Sequence, residues 1–160
     1  MGLGSNLGDR AAYLVLAVRG MMDAGLCVSR LSSIYETEPV GVVSDHPPYL
    51  NMVAELSLSS MKFTPRQVLA RLLRVEYALG RRRDSPRAAR TIDLDLLLYG
   101  DVTSETEFLT LPHPRLHQRR FVLAPLAELA PDRRHPTLGQ SFAELLAGLA
   151  DGSAVRLWKP

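Results

Sequence analysis

The order of elements in the sequence predicts an α+β fold: a ferredoxin-like βαββαβ core with C-terminal helical and strand extensions, in a three-layer α/β/α arrangement. Three observations carry that expectation. Two stretches with helical spacing follow capping residues at Asp9 and Thr64. Two runs rich in β-branched and aromatic residues, Val28 to Thr37 and Leu50 to Leu58, lie between those helices. A further apolar run from Arg90 to Gly100 completes the pattern before the chain turns to helices.

Gly2 to Asp9 reads as a strand end and a short glycine-rich loop. Asp9 then caps a helix whose apolar positions Leu14, Val18 and Met21 recur until Gly25 stops it. The glycines serve either a tight turn or a close backbone approach to a ligand. Val28 to Thr37 and Leu50 to Leu58 form two strands. The proline-punctuated loop from Glu38 to Pro48 between them has a size common in lids and binding loops. Thr64-Pro-Arg-Gln67 is a capping box with proline at the first helical position, so a helix runs from Pro65 to Leu79 and ends at Gly80. Its inner stripe is read as Leu69, Leu72, Leu73, Glu76 and Leu79, which puts one carboxylate among aliphatic residues. A buried acid needs a partner, either a ligand group or a nearby arginine. Residues 100–110 read as a polar connection. Phe121 to Leu129 has helical character interrupted by Pro125. Ser141-Phe-Ala-Glu144 is a second capping box, opening a helix to about Leu149, and Val155 to Trp158 adds a last strand.

A chain of 160 residues, 46% hydrophobic and 22% charged, fits one domain over residues 1–160. Its net charge of only +2 does not imply wholesale affinity for nucleic acid or membranes. Cys27 is the single cysteine, so an internal disulfide and a multi-cysteine zinc site are both excluded, and a reducing cytoplasmic location is expected. No basic segment followed by an apolar one opens the chain, and no apolar run is long enough to span a bilayer. Asn6 stands where a myristoylation motif after Met1-Gly2 requires Ser or Thr. There is no internal repeat and no low-complexity segment.

The chemistry concentrates at Arg90-Thr-Ile-Asp-Leu-Asp-Leu-Leu-Leu-Tyr-Gly100. On a strand, Asp93 and Asp95 share one face about 6–7 Å apart, while Ile92, Leu94 and Leu96 take the other. Two such carboxylates either lie on a solvated face or hold a divalent, oxygen-seeking metal between them. The approach to them, from Arg81 to Arg90, holds five arginines with Asp84 as the only opposing charge. Guanidinium forks suit phosphate oxygens, so an anionic ligand together with a metal accounts for both features. His113 lies between two prolines on a loop, without a partner at zinc-site spacing. Tyr49 and Asn51 fall on one strand face, where a ring and an amide could grip a heterocycle; core packing and a turn role are the competing reading.

Taken together, Gly4-Ser-Asn-Leu-Gly8, Tyr35-Glu-Thr-Glu-Pro39, Tyr49-Leu-Asn51, Glu76, Arg90-Thr-Ile-Asp-Leu-Asp95 and Leu111-Pro-His113 resemble the 6-hydroxymethyl-7,8-dihydropterin pyrophosphokinases of folate biosynthesis. The resemblance runs from about Gly2 to the C-terminus. It implies a ferredoxin-like enzyme that moves the terminal diphosphate of ATP onto the pterin hydroxymethyl oxygen and releases AMP, using two Mg2+ ions. It implies Asp93 and Asp95 as the metal ligands, with Arg81 and Arg90 beside them in catalysis. The ATP site maps to Glu76, Arg81, Arg83, Arg90, Thr110, His113 and Arg119, and the pterin site to Gly4, Thr37, Glu38, Val40, Tyr49, Asn51 and Phe121. Loops 38–48 and 81–90 become lids that exclude water. A monomer with small-molecule partners alone is expected. Three departures stand out: Arg87-Ala88-Ala89 replaces an aromatic-Gly-Pro sequence, Pro114 replaces a tyrosine, and only Met1-Gly2-Leu3 precedes the first motif. The last suggests a natural start upstream or a less stable form. The alternative of another class is a non-catalytic ferredoxin-like domain binding nucleotide or RNA through its arginine loop, although the strands lack paired aromatics for base stacking.

Overall fold

A computed structural model of the chain describes residues 1–38, 47–57, 62–82 and 88–159. Val40, Arg83 and Arg87 fall outside the described residues, as do residues 39–46 of the first expected lid and 83–87 of the second. Strand β1 (Gly2–Ser5) leads into helix α1 (Arg10–Asp23), where the Asp9 side chain accepts the Ala12 N–H at 3.0 Å. Strands β2 (Val28–Leu31), β3 (Tyr35–Thr37) and β4 (Tyr49–Leu56) follow. Helix α2 (Pro65–Ala78) opens on the reciprocal Thr64–Gln67 capping box. After β5 (Asp93–Asp95) come a small hairpin of β6 (Ser104–Glu105) and β7 (Thr110–Leu111), a 3-10 turn (Leu116–Gln118), α3 (Arg120–Leu129), α4 (Phe142–Gly148) and β8 (Val155–Leu157).

The main sheet runs β5-β1-β4-β3-β8, with β2 paired to the far half of β4, and every pairing is antiparallel. This is the expected α+β, ferredoxin-like core, with β1 and β4 at its centre. Alternation along the strands sends side chains to two separate cores. Leu3, Met52, Ala54 and Leu94 pack with Leu14 and Met21 of α1 and Val68 and Leu72 of α2. Val53 and Leu97 face the other way, onto Leu123 of α3 and Phe142 and Leu145 of α4. Helices therefore cover both faces, but α3 and α4 leave one end of the second face open. Asp93, Gly4 and Asn51 lie there.

Five sequence expectations need correction. The strand read from Val28 to Thr37 is two strands. Ser32 breaks it by donating its N–H to the Val53 carbonyl while its hydroxyl accepts the Val53 N–H, both at 2.9 Å, so a side chain replaces a ladder acceptor. The run from Arg90 to Gly100 pairs only at Asp93–Asp95, because its partner β1 ends at Gly2, opposite Asp95. Pro125 does not interrupt α3; Val122, Leu123, Pro125 and Leu126 are all buried, and their packing outweighs one lost helical bond. The inner stripe of α2 is Val68, Leu72, Val75 and Glu76, one position round from the stripe expected, and Leu73 is 40% exposed. Residues 100–110, read as connection, contain the β6–β7 hairpin.

Candidate active site

The open face is built by register. Asp93 pairs with Gly4, Gly4 with Asn51, and Asn51 with Tyr35, so a carboxylate, a bare backbone and an amide stand side by side. The missing side chain matters, because a Cβ on Gly4 would meet Asn51 Oδ1 at 3.0 Å. A cavity of about 990 Å³ opens over this row. Every described residue that the sequence placed at the site lines it: Gly4, Thr37, Glu38, Tyr49, Asn51 and Phe121 towards the amide end, and Glu76, Arg81, Arg90, Asp93, Asp95, Thr110, His113 and Arg119 elsewhere.

The acid end is an ion-pair network. Asp93 accepts from the Arg81 guanidinium through Oδ1 and from Arg90 Nη1 through Oδ2, the latter at 2.6 Å. Arg81 also donates to Glu76, which is 2% exposed and accepts the Leu94 N–H at 2.7 Å. The aliphatic stripe of α2 thus carries an acid because that acid holds Arg81 and the start of β5. Arg90 is fixed by Asn6, whose Oδ1 accepts its N–H at 2.8 Å and whose own N–H reaches the Arg90 carbonyl at 3.1 Å. Burial opposes the charge on Arg90, and the Asp93 carboxylate outweighs it, so the guanidinium is held more firmly charged than usual.

Asp95 differs. Among the described residues no hydrogen bond to its side chain is formed. Burial first, then the Asp93 charge, push its carboxyl above the ordinary range, against the pull of His113, Arg119 and Arg81. Such an acid calls for a cation. Two carboxylates with no third His, Cys, Asp or Glu among the described residues suit magnesium, which takes one or two protein oxygens and completes its shell with phosphates and water. The set is too poor in donors for a structural zinc site.

His113 sits after β7, its N–H bonded to the Leu97 carbonyl at 2.9 Å. Its Nδ1 accepts the Arg115 N–H at 3.2 Å, which assigns the proton to Nε2. Burial lowers its pKa, Arg119 and Arg115 add to that, and Asp95 opposes them, so the neutral ring is favoured. Arg119 stands 5.5 Å over the Phe121 ring. At the other end Asn51, 7% exposed, donates Nδ2 to Thr37 Oγ1 at 2.7 Å.

Sequence reasoning missed the apolar wall of the cavity: Leu69, Leu73, Phe108 and Leu109. The signal was available in α2, since a Leu69–Leu73 pair one position off the buried stripe needs an apolar neighbour of its own. It also missed Asn6, fully buried behind Arg90.

The model of the 7,8-dihydro-6-hydroxymethylpterin-pyrophosphokinase family matches residues 1–131. The 2-amino-4-hydroxy-6-hydroxymethyldihydropteridine pyrophosphokinase of Bacillus subtilis is 42% identical over 158 residues, covering 98% of this chain and 87% of that protein. The Synechocystis protein of the same name is 39% identical, covering 91% and 73%. The folic acid synthesis protein fol1 of Pneumocystis carinii is 36% identical over 93% of this chain, which spans only 20% of that longer protein. With its acid pair, arginine network and amide set on one ferredoxin-like sheet, the chain belongs to the 7,8-dihydro-6-hydroxymethylpterin-pyrophosphokinase family.

Proposed function

We infer that the chain transfers the terminal diphosphate of ATP to the hydroxymethyl oxygen of 6-hydroxymethyl-7,8-dihydropterin, releasing AMP. The observation that carries this reading is the single cavity joining an amide-and-aromatic end to a carboxylate pair and an arginine and histidine wall. The pterin lies over Gly4, its ring between Tyr49 and Phe121 and its donors on Asn51 Oδ1, while Thr37 fixes the amide through Nδ2. The triphosphate lies along His113 Nε2, Arg119, Arg81 and Arg90, and adenine rests on the Leu69, Leu73 and Phe108 wall. Glu76 acts by holding Arg81.

The hydroxymethyl oxygen attacks the β-phosphorus and releases its proton to solvent, the bond from that phosphorus to the α,β-bridging oxygen breaks, and AMP departs with the bridging oxygen. Such a transfer depends on alignment and charge neutralisation more than on covalent help. Asp93 and Asp95 would hold two magnesium ions; when bound, these neutralise phosphate oxygens and lower the barrier at the β-phosphorus. Arg81 and Arg90, each paired with Asp93, exchange that partner for phosphate oxygens and stabilise the departing AMP.

The test separates nucleotides after incubation with ATP, magnesium and the pterin. AMP formed only when the pterin is present is the expected result. ADP instead of AMP, or no turnover, would overturn the reading, and magnesium-independent binding to RNA with a steep salt dependence would replace it.

A further inference from the structure

The mechanism leaves one pair of buried ring nitrogens unused. His135, on the loop between α3 and α4, is 4% exposed, and its Nδ1 faces the N–H groups of Thr137 and Leu138 at 3.4 Å each and Thr137 Oγ1 at 3.2 Å. A nitrogen surrounded by backbone donors is an acceptor, so the His135 proton sits on Nε2. Among the described residues that buried Nε2 has no hydrogen-bond partner, and neither has His117 Nδ1 in the 3-10 turn. The two rings stand edge to face, centroids 5.9 Å apart and planes at 83°. An N–H···N bond between imidazoles places the centroids roughly 5 Å apart, somewhat closer than these two rings stand.

The second ring can accept that proton once the neighbouring amide is turned. His117 Nε2 lies 3.2 Å from the side-chain amide nitrogen of Gln118, an exposed group free to turn. With the amide carbonyl turned inward, His117 Nε2–H donates to it and Nδ1 becomes an acceptor. The opposite orientation would set two N–H groups against each other. Burial, followed by His117 as the one ionisable neighbour among the described residues, lowers the pKa of His135 and favours its neutral form.

We propose that His135 is a positioning residue: its Nε2–H donates to His117 Nδ1 and pins the turn that carries His113 and Arg119 into the nucleotide half of the cavity. The anchor is rigid. His135 N–H bonds the Gln140 carbonyl at 2.8 Å, Gly139 N–H bonds the His135 carbonyl at 2.9 Å, and Phe142 N–H bonds the Arg133 carbonyl at 3.0 Å. The pinned segment is short. Leu116 N–H bonds the His113 carbonyl at 3.0 Å, Leu116 is fully buried, and Arg119 follows directly with no side-chain cap on α3. Freeing His117 lets Arg119 and His113 drift from the phosphates without disturbing Asn51 or Tyr49.

The proposal rests on the nucleotide assignment above, and the experiment separates the two. In 15N-labelled protein a through-bond N–N coupling between His135 Nε2 and His117 Nδ1 is expected; its absence overturns the proposal. Calorimetric titration with magnesium and α,β-methylene ATP should show affinity about tenfold weaker for His135→Phe, the loss of one buried hydrogen bond. His135→Gln, which keeps a donor, should recover most of it. Where His135→Phe does not fold, His117→Phe is read the same way. A lower melting temperature with unchanged affinity means a merely structural role and sinks the proposal. Failure of the wild-type protein to bind the analogue sinks the nucleotide reading itself.

Discussion

Asp93 and Asp95 differ by two positions in sequence and occupy one strand face, yet their surroundings are unlike. Asp93 has two guanidiniums; Asp95 has burial, a like charge beside it, and no hydrogen bond among the described residues. A protein selected for stability alone would not keep an ionised group there. Asp95→Asn keeps the shape and removes the repulsion. Turnover should fall by about a hundredfold or more, because the lost interaction acts on charge in the transition state. The metal-free variant should melt at the same temperature as the wild type or above it. Parallel turnover and melting measurements check this, and near-normal activity, or marked destabilisation, would contradict the role given to Asp95.

At the scale of elements, the break between β2 and β3 is held by a helix. Glu128 of α3 accepts the Ser33 N–H at 3.0 Å, the Ser33 hydroxyl at 2.9 Å and the Tyr35 hydroxyl at 2.9 Å. Burial pushes the Glu128 carboxyl up, and the three bonds outweigh it, so its pKa is lowered; Tyr35 is raised, by burial and then by Glu128. A carboxyl lowered in the folded state lends stability above its ordinary pKa, and that stability is lost as pH falls through the lowered value. Glu128→Ala should therefore cost about 1 kcal/mol near neutrality, modest because the site is exposed. The difference from wild type should close below about pH 4. Urea denaturation at several pH values reads both. A gap that persisted in acid would assign the effect to packing.

The same element shows what the sequence could and could not disclose. Capping boxes at Thr64 and Ser141, and the shared face of Asp93 and Asp95, are local and were legible. The break at Ser32 was not, because it depends on a hydroxyl reaching Val53 on a strand 21 residues away. The stripe of α2 was misread by one position since Leu69 and Leu73 face a cavity whose far wall, Phe108, comes from a hairpin too short to show a strand pattern. Motif order picked out residues that line one cavity; nothing in it indicated that Glu76 and Asp93 share Arg81.

For the molecule as a whole, a net charge of +2 conceals a cavity in which both signs are collected and Asp93 is already paired. Asp93 is neutralised by Arg81 and Arg90, so it offers a lone cation little. The same two arginines are committed to Asp93, so they offer a lone anion little. Under the proposed function, supplying both together should let each partner re-sort, the carboxylates turning to the metal and the guanidiniums to phosphate. Magnesium alone, or a nonhydrolysable ATP analogue in chelator, should each raise the melting temperature only slightly. Added together at about a hundred times the dissociation constant, they should stabilise by about 2.7 kcal/mol, a shift of about 5–10 °C for a chain this size. The pterin should add a further increment, because the Asn51 end belongs to the same cavity. Thermal melts in the four combinations make the comparison. If the analogue gave the full shift without magnesium, the exchange of partners at Asp93 would be wrong and the arginines would have to be regarded as open to phosphate from the start.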